Sequence, residues 1–208
     1  MKSLIKTILV VLLLSVPFIM QWTPLEIIKL KTFDALVTEK QQSNYFTVLN
    51  ITEEDIEREG GWPLPRARLA EIQREIIARG ALGVGWTVAF PQKDRLGGDE
   101  DFAESLLGSN SILAMYENEG SGYPNTVGTV IMGEPVGGYP VSGVVQNIEI
   151  LRRSAAQGIA SAPVDIDQLV RRIPLLMKTP DGWVSAFGTE VLKALVGSDT
   201  YIIKTNQN

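Results

Sequence analysis

The chain has 208 residues, of which 45% are apolar and 21% charged, a composition typical of a folded globular domain. It contains no cysteine and no histidine, which excludes disulfides, thiolate nucleophiles, Ser-His-Asp triads and metal sites built on either residue. We therefore expect no cofactor and no metal. The 24 acidic against 19 basic residues also argue against a nucleic-acid partner, since a net charge of −5 repels phosphates.

The N-terminal segment predicts a membrane anchor. No charge occurs from Thr7 to Leu25, and a helix of that length spans ~28 Å, close to the hydrocarbon thickness of a bilayer. Lys2 and Lys6 precede it, so the positive-inside rule places the N-terminus in the cytoplasm and the rest in the periplasm or outside the cell. We expect a single-pass inner-membrane protein that contacts lipid through residues 4–23. A cleaved secretory signal is the alternative, but no small-x-small cleavage motif follows the apolar run, and both interpretations export the domain.

Helix and strand patterns alternate through the first half of the chain. The pattern predicts a helical stalk at 24–39, a strand at 45–51, a short helix with Thr52 and Asp55 in a capping box, a helix at 66–79 and a strand at 82–90. Two strands joined through helices predict a right-handed βαβ unit with parallel strands.

The second half continues the alternation after a glycine-rich stretch. We expect a helix at 99–107, a strand at 111–116, a loop at 117–143 with at most one strand at 127–132, a strand at 173–177, a helix at 184–196 and a strand at 201–203. The predicted fold is a single α/β domain with a mixed, mainly parallel sheet flanked by helices. The predicted boundaries are 1–25 for the anchor, 26–42 for the stalk and 43–208 for the exported domain.

Two motifs each admit a structural and a functional interpretation. In the structural interpretation, the turn at 61–66 is a rigid turn that precedes a helix. In the functional interpretation, Trp62 and Arg66 bind an anionic or aromatic ligand. Asp165 and Asp167 have the alternating spacing of a calcium loop, but Gln168 stands where such a loop needs glycine. Ion pairs with the arginines at 171 and 172 explain these acids more simply.

The order of these features resembles the type-2 CHASE family, extracytoplasmic sensory domains associated with cyclases and histidine kinases. The resemblance covers residues 30 to 197. It is carried by Phe33-Asp34, Ile51-Thr52-Glu53-Glu54, Gly61-Trp62-Pro63-Leu64-Pro65-Arg66, Val84-Gly85-Trp86-Thr87-Val88-Ala89-Phe90 and Asp165-Ile166-Asp167-Gln168-Leu169-Val170-Arg171-Arg172-Ile173-Pro174-Leu175. Thr87 replaces an acid usual in the family, and Gln168 replaces a glycine. Family members generally continue into further membrane helices and a cytoplasmic output module.

The resemblance implies a non-catalytic sensory or ligand-binding domain in signal transduction, coupled to a partner or an output module. We expect an unknown small ligand and a homodimer or signalling partner. The candidate ligand-binding residues lie at strand ends and in nearby loops: Trp62, Arg66, Trp86, Thr87 and Arg171. Two alternatives stay open, a structural interaction protein and an exported glycan hydrolase whose paired carboxylates would come from Asp94, Asp99 and Asp165.

Overall fold

The computed structural model describes residues 22–37, 45–119, 128–133 and 137–204, and also 6–8, 10–11, 15–16 and 122. Among these residues no helix is long and apolar enough to cross a membrane. Most of the predicted anchor at 1–25 lies outside the described residues, so the anchor stays a prediction.

From residue 22 onward, the described residues form six helices. The helices are α1 (Thr23–Leu36), α2 (Glu53–Arg58), α3 (Arg66–Ala78), α4 (Asp99–Leu106), α5 (Glu149–Ser154) and α6 (Phe187–Leu195). The strands over the same residues are β1 (Gly85–Trp86), β2 (Ile112–Glu117), β3 (Thr129–Met132), β4 (Tyr139–Pro140), β5 (Val144–Val145), β6 (Ala156–Ile159), β7 (Leu176–Thr179), β8 (Gly182–Ser185) and β9 (Tyr201–Lys204).

Parallel pairing dominates, as predicted, but the described strands form three sheets and not the one sheet that was expected. The largest sheet centres on β2, which pairs in parallel with β1 and β6 and antiparallel with β5. A second sheet joins β4, β7 and β8, where β4 pairs with β7 in parallel and β7 with β8 antiparallel. In a third, β3 and β9 are parallel. The fold class is therefore mixed α/β.

The chain separates into two compact units. The first unit comprises Met1–Asn50 and Pro163–Arg172, and the second comprises Ile51–Ala162 and Ile173–Asn208. Among the described residues, every core side chain belongs to the second unit. The division does not test the predicted boundaries at residues 25 and 42.

The local capping signals were correct. Thr52 accepts a hydrogen bond from the backbone N–H of Asp55, and the Asp55 carboxylate accepts one from the backbone N–H of Thr52, so α2 starts with the predicted capping box. The helix predicted at 66–79 is α3, and Gly80 follows it at φ +93°. The predicted stalk helix corresponds to α1.

The predicted strand at 45–51 is wrong, and with it the βαβ unit. Its residues are exposed and form no strand, and no strand among the described residues pairs with them. The strand predicted at 82–90 is much shorter in the structure. It consists of β1 alone, since only Gly85 and Trp86 pair with β2. A strand needs a neighbour for its N–H and C=O groups, and an apolar run cannot reveal whether it has one.

The helix predicted at 184–196 begins later, because Gly182–Ser185 form β8 and only Phe187–Leu195 are helical. The sequence pattern also missed α5, β4, β5 and β6. Each of these elements has six residues or fewer, so none carries enough periodicity to be recognised.

The core of the second unit has two apolar clusters. Three aromatic rings anchor the larger one: Phe102 packs edge-on against Trp86 at a centroid distance of 5.4 Å and against Phe90 at 5.3 Å. The smaller cluster surrounds Met115 and Met177. Helix α6 approaches β6 closely at Gly158, where an added Cβ would lie 2.5 Å from the Cα of Phe187.

Candidate functional site

The five residues predicted to bind a ligand occupy separate environments. Arg171 belongs to the first unit and the other four to the second. Trp62 is 53% exposed, and Thr87 is exposed and accepts a hydrogen bond at its carbonyl from the hydroxyl of Tyr116. Arg66 and Trp86 are buried.

Arg66 is held at the start of α3 by the protein itself. Its guanidinium lies 4.3 Å from the ring centroid of Phe90, and its Nε lies 3.5 Å from Oδ1 of Asp99. Its Nη2 donates to the carbonyl of Gln92. Burial lowers the pKa of Arg66, and the charges of Asp99 and Asp94 oppose that shift. These contacts give Arg66 a role in joining α3 to the loop before α4.

Trp86 is part of a buried polar network. Its indole Nε1–H donates to Oε1 of Gln73 at 2.8 Å, and the Gln73 amide donates to Ser109 and Ser111 at 3.1 and 2.8 Å. The ring packs against Phe102. With its ring buried against Phe102 and its N–H bonded to Gln73, Trp86 supports the core.

Arg171 lies at the centre of an ion cluster. Its Nε and Nη2 donate to the two carboxylate oxygens of Asp34 in α1, both at 2.8 Å. Its Nη1 and Nη2 donate to the two oxygens of Asp167 at 2.7 and 2.6 Å, and Nη1 also donates to Asp165 at 3.0 Å. All five N–H donors of the guanidinium are therefore used. Only 8% of the side chain is exposed.

The pKa values in this cluster follow from its hydrogen bonds. The bonds from Arg171 lower the pKa of Asp34 below its usual value and lower that of Asp167 to about 2. Conversely, the bonds to Asp34 and Asp167 raise the pKa of Arg171. Each group is thus fixed in its charged form at neutral pH. The cluster, named here the Arg171 cluster, comprises Arg171, Asp34, Asp165 and Asp167.

The Arg171 cluster connects two of the segments that carried the family resemblance. Asp34 comes from the Phe33-Asp34 pair, and the other three residues come from the 165–175 motif. The sequence favoured ion pairs for Asp165 and Asp167, which is confirmed, but gave no signal that Asp34 joins them. Among the described residues, no group of three or more acidic side chains is arranged to hold a metal ion.

The carboxylates considered for a hydrolase are engaged in structural bonds. Asp94 accepts hydrogen bonds from the backbone N–H groups of Arg66, Leu96 and Gly98. Burial raises the pKa of Asp94, but these bonds outweigh it and the net shift is downward, opposite to what a general acid requires. Asp99 accepts from the backbone N–H of Asp94 and faces Arg66.

A groove of about 820 Å³ lies in the second unit, a volume within the range of small-molecule sites. None of the five predicted residues lines it. Its buried carboxylate is Glu190, which accepts hydrogen bonds from Ser185 at 2.5 Å and from Lys193 at 2.7 Å. Six charged side chains, three of each sign, line the groove: Glu149, Arg152, Arg153, Glu190, Lys193 and Asp199.

Sequence patterns could not have found this groove. Its lining comes from seven elements, β2, β6, β8, β9, α4, α5 and α6, and from the loops between them, and the sequence pattern predicted neither β6 nor α5. The local signals available were the spacings of two ion pairs on helices, Glu190 with Lys193 three positions apart and Glu149 with Arg153 four positions apart.

Comparison with family models gives a match over nearly the whole chain. The model of the CHASE2 domain matches residues 7–206, nearly the entire length. Comparisons with curated proteins and with solved structures gave no match. The match spans both units and includes α1, the Arg171 cluster and the groove. The chain therefore belongs to the CHASE2 family, a family of extracellular sensory domains of signal transduction.

Proposed function

We propose that this protein is a membrane-anchored extracytoplasmic sensory domain that performs no catalysis and passes its signal to a partner or to an output module. The observation that carries the proposal is the CHASE2 match over residues 7–206. The absence of histidine and cysteine from the sequence and the structural engagement of Asp94 and Asp99 support a non-catalytic role.

The anchor rests on the sequence of residues 1–25. The uncharged run from Thr7 to Leu25 is long enough to cross a bilayer, and Lys2 and Lys6 orient it with the N-terminus in the cytoplasm. Helix α1 begins at Thr23, within the last three residues of this run. A change in α1 would therefore reach the membrane without an intervening linker.

The Arg171 cluster is the proposed connection between stimulus and membrane. The loop Pro163–Arg172 supplies three of its four members and α1 supplies Asp34. A guanidinium that is 8% exposed and has all five donors used cannot lose one carboxylate without leaving donors unpaired. A rearrangement of the loop would therefore displace α1 with it.

The groove is the proposed site of the small ligand. Its paired charges of both signs favour a small zwitterion or charged organic molecule over an apolar one. Glu190 is buried and pairs with Lys193, and the pair would distinguish ligands by charge, because a ligand group that displaces one partner must itself bond to the other.

Export can be tested with alkaline phosphatase fused after Asn208 of the full chain, since that enzyme is active only outside the cytoplasm. We expect activity in cells, with the fusion in the membrane fraction after alkaline carbonate extraction. Leu12→Arg should abolish activity, because a charge in the centre of an apolar run opposes insertion. Leu36→Arg is the matched control and should retain it, since Leu36 is 77% exposed in α1. An inactive wild-type fusion in the soluble fraction would overturn the proposal.

The N-terminus of the exported protein distinguishes an uncleaved anchor from a cleaved signal peptide. N-terminal sequencing of the exported protein should find the residues that follow Met1. A new N-terminus between residues 16 and 30 would mean that the domain is secreted rather than anchored. In that case the sensory role would remain, but transmission through α1 would not.

A further inference from the structure

Strands β6 and β8 touch at one end and separate where they line the groove. The two strands run in the same direction, and among the described residues a single bridge joins them, between Ile159 and Ala186. On the N-terminal side of that bridge, Gln157 of β6 and Trp183 of β8 both line the groove. On their other sides, β6 pairs with β2 and β8 pairs with β7. The groove therefore lies between two strand edges that have no neighbouring strand there.

These two edges present backbone hydrogen-bonding groups to the groove. The N–H groups of Ala156 and Ala160 donate to residues of β2 and its N-terminal neighbour, so the alternation along β6 directs the N–H and C=O of Gln157 to the opposite edge. The N–H of Ala186 donates on the β7 side, and by the same alternation the backbone groups of Trp183 face away from β7. An unpaired strand edge of this kind can bind an extended peptide by adding it as a further strand.

The charges of the groove leave one side chain of each sign without an ion pair. Four of the six charged side chains form two pairs, Glu149 with Arg153 and Glu190 with Lys193. Arg152 and Asp199 are the other two; both are exposed, and neither has an oppositely charged partner among the described residues. Arg152 donates to the neutral amide oxygen of Gln146, which does not cancel its charge. The groove therefore matches a ligand that carries one anionic and one cationic group.

The size of the groove separates two kinds of ligand that carry both charges. A free amino acid has an ammonium and a carboxylate, but it has no peptide group with which to pair with a strand edge. A short peptide has the same two charges at its ends and N–H and C=O groups between them. The volume of about 820 Å³ lies towards the upper end of the range for small-molecule sites, which favours the larger of the two ligands.

We infer that the groove binds a short peptide with a free N-terminus and a free C-terminus. Its backbone pairs with Gln157 and Trp183 at the edges of β6 and β8, its carboxylate pairs with Arg152 and its ammonium pairs with Asp199. This inference rests on the proposed function, in which the groove is the ligand site of a sensory domain, and it names the chemical class of that ligand.

Native mass spectrometry of the detergent-solubilised full chain tests the ligand class. The chain would be mixed with synthetic tetrapeptides that have free ends and are randomised at all four positions. We expect adducts with the masses of tetrapeptides and a higher Tm. Two other mixtures should bind at least about tenfold more weakly. One is the same library acetylated at the N-terminus and amidated at the C-terminus, which lacks both charges. The other is the free amino acids, which lack peptide groups.

Two substitutions test the position of the peptide. Arg152→Gln and Asp199→Asn should each weaken the binding of the retained peptides about tenfold or more, because each removes the partner of one charged end. Arg95→Gln and Asp181→Asn are the matched controls, since both residues are exposed and lie outside the groove, and they should leave binding unchanged. Without peptide, all four variants should keep the Tm of the wild type. A library N-methylated at its central peptide bond should bind more weakly, because that bond can no longer donate to a strand edge.

The contrary results are distinct from a failure of the proposed function. Equal binding of the blocked library, or unchanged binding in Arg152→Gln and Asp199→Asn, would overturn the placement of the peptide in the groove. Absence of adducts with every peptide library would overturn the peptide class. Binding of free amino acids without peptides would also overturn it, although the groove would remain a ligand site. None of these results affects the export assay with alkaline phosphatase, which tests the sensory domain's location independently of any ligand.

Discussion

Arg171 and Asp34 are 137 positions apart in the chain and form two parallel hydrogen bonds of 2.8 Å between guanidinium and carboxylate. This geometry depends on the planar fork of arginine, which can pair with two carboxylates at once. The bonds fix α1 to the loop Pro163–Arg172 through an Arg171 side chain that is 8% exposed and an Asp34 side chain that is 43% exposed.

Arg171→Lys should loosen α1 even though it keeps the charge. Lysine has three donors on one nitrogen and cannot reproduce two bidentate pairs, so at least one carboxylate loses its partner. Hydrogen exchange followed by mass spectrometry on the full chain should show faster exchange of the amides of Thr23–Leu36, with β2 unchanged. Arg172→Lys is the control, because Arg172 is exposed and lies 3.9 Å from Asp165. Unaltered exchange of α1 in Arg171→Lys would contradict the role assigned to the cluster.

The Arg171 cluster should withstand mild acid. The pKa of Asp167 is lowered to about 2 in the folded protein, against 3.8 for an ordinary aspartate. Its stabilisation is therefore complete above pH 3.8 and is lost as the pH falls through about 2. The difference in Tm between wild type and Asp167→Asn should stay constant from about pH 8 to 5 and shrink between about pH 4 and 2. A difference that vanishes by pH 5 would show that Arg171 does not hold this carboxylate.

Gln73→Met should destabilise the second unit despite a similar side-chain size. It leaves the indole N–H of Trp86 and the hydroxyls of Ser109 and Ser111 without their amide partner in the core. We expect a loss of about 1–3 kcal/mol in the free energy of unfolding, measured by urea denaturation. Gln92→Met, at an exposed position, should change it by less than about 0.5 kcal/mol. Equal effects of the two substitutions would show that the buried network contributes nothing.

Gly158→Ala should destabilise the contact between β6 and α6. The added Cβ would lie 2.5 Å from the Cα and 2.9 Å from the backbone nitrogen of Phe187, and a backbone cannot move aside as a flexible side chain can. The expected loss is about 1–3 kcal/mol by urea denaturation. Gly188→Ala, inside α6 with nothing within 4 Å of the new methyl group, should be neutral or should stabilise the helix. A neutral Gly158→Ala would mean that the two elements are farther apart than described.

Local sequence signals predicted the features that depend on a few neighbouring residues. The capping box of Thr52 and Asp55, the extent of α3 and its termination at Gly80 all involve groups within four or five positions. The same locality explains the errors. The apolar run at 45–51 has the composition of a strand, but strand formation depends on a partner that is distant in the chain.

The candidate sites show the same difference between features that depend on neighbouring residues and features that depend on distant ones. Sequence patterns drew attention to Trp62, Arg66, Trp86, Thr87 and Arg171 as individual residues, and the structure gives Arg66 and Trp86 structural contacts in the core. The groove remained unrecognised, because seven separate elements contribute its lining.

By itself, the sequence determined which kinds of catalytic and metal site the composition excludes, and where the uncharged N-terminal run lies. It also determined the α/β class and the resemblance to a sensory family. Each of these follows from residue types and short spacings. Only the tertiary structure decided that Asp34 completes the bonding of Arg171 and that Glu190 is buried beside Lys193. Partners of this kind are selected by three-dimensional proximity, which a hydrogen bond requires and which the order of residues along the chain does not specify.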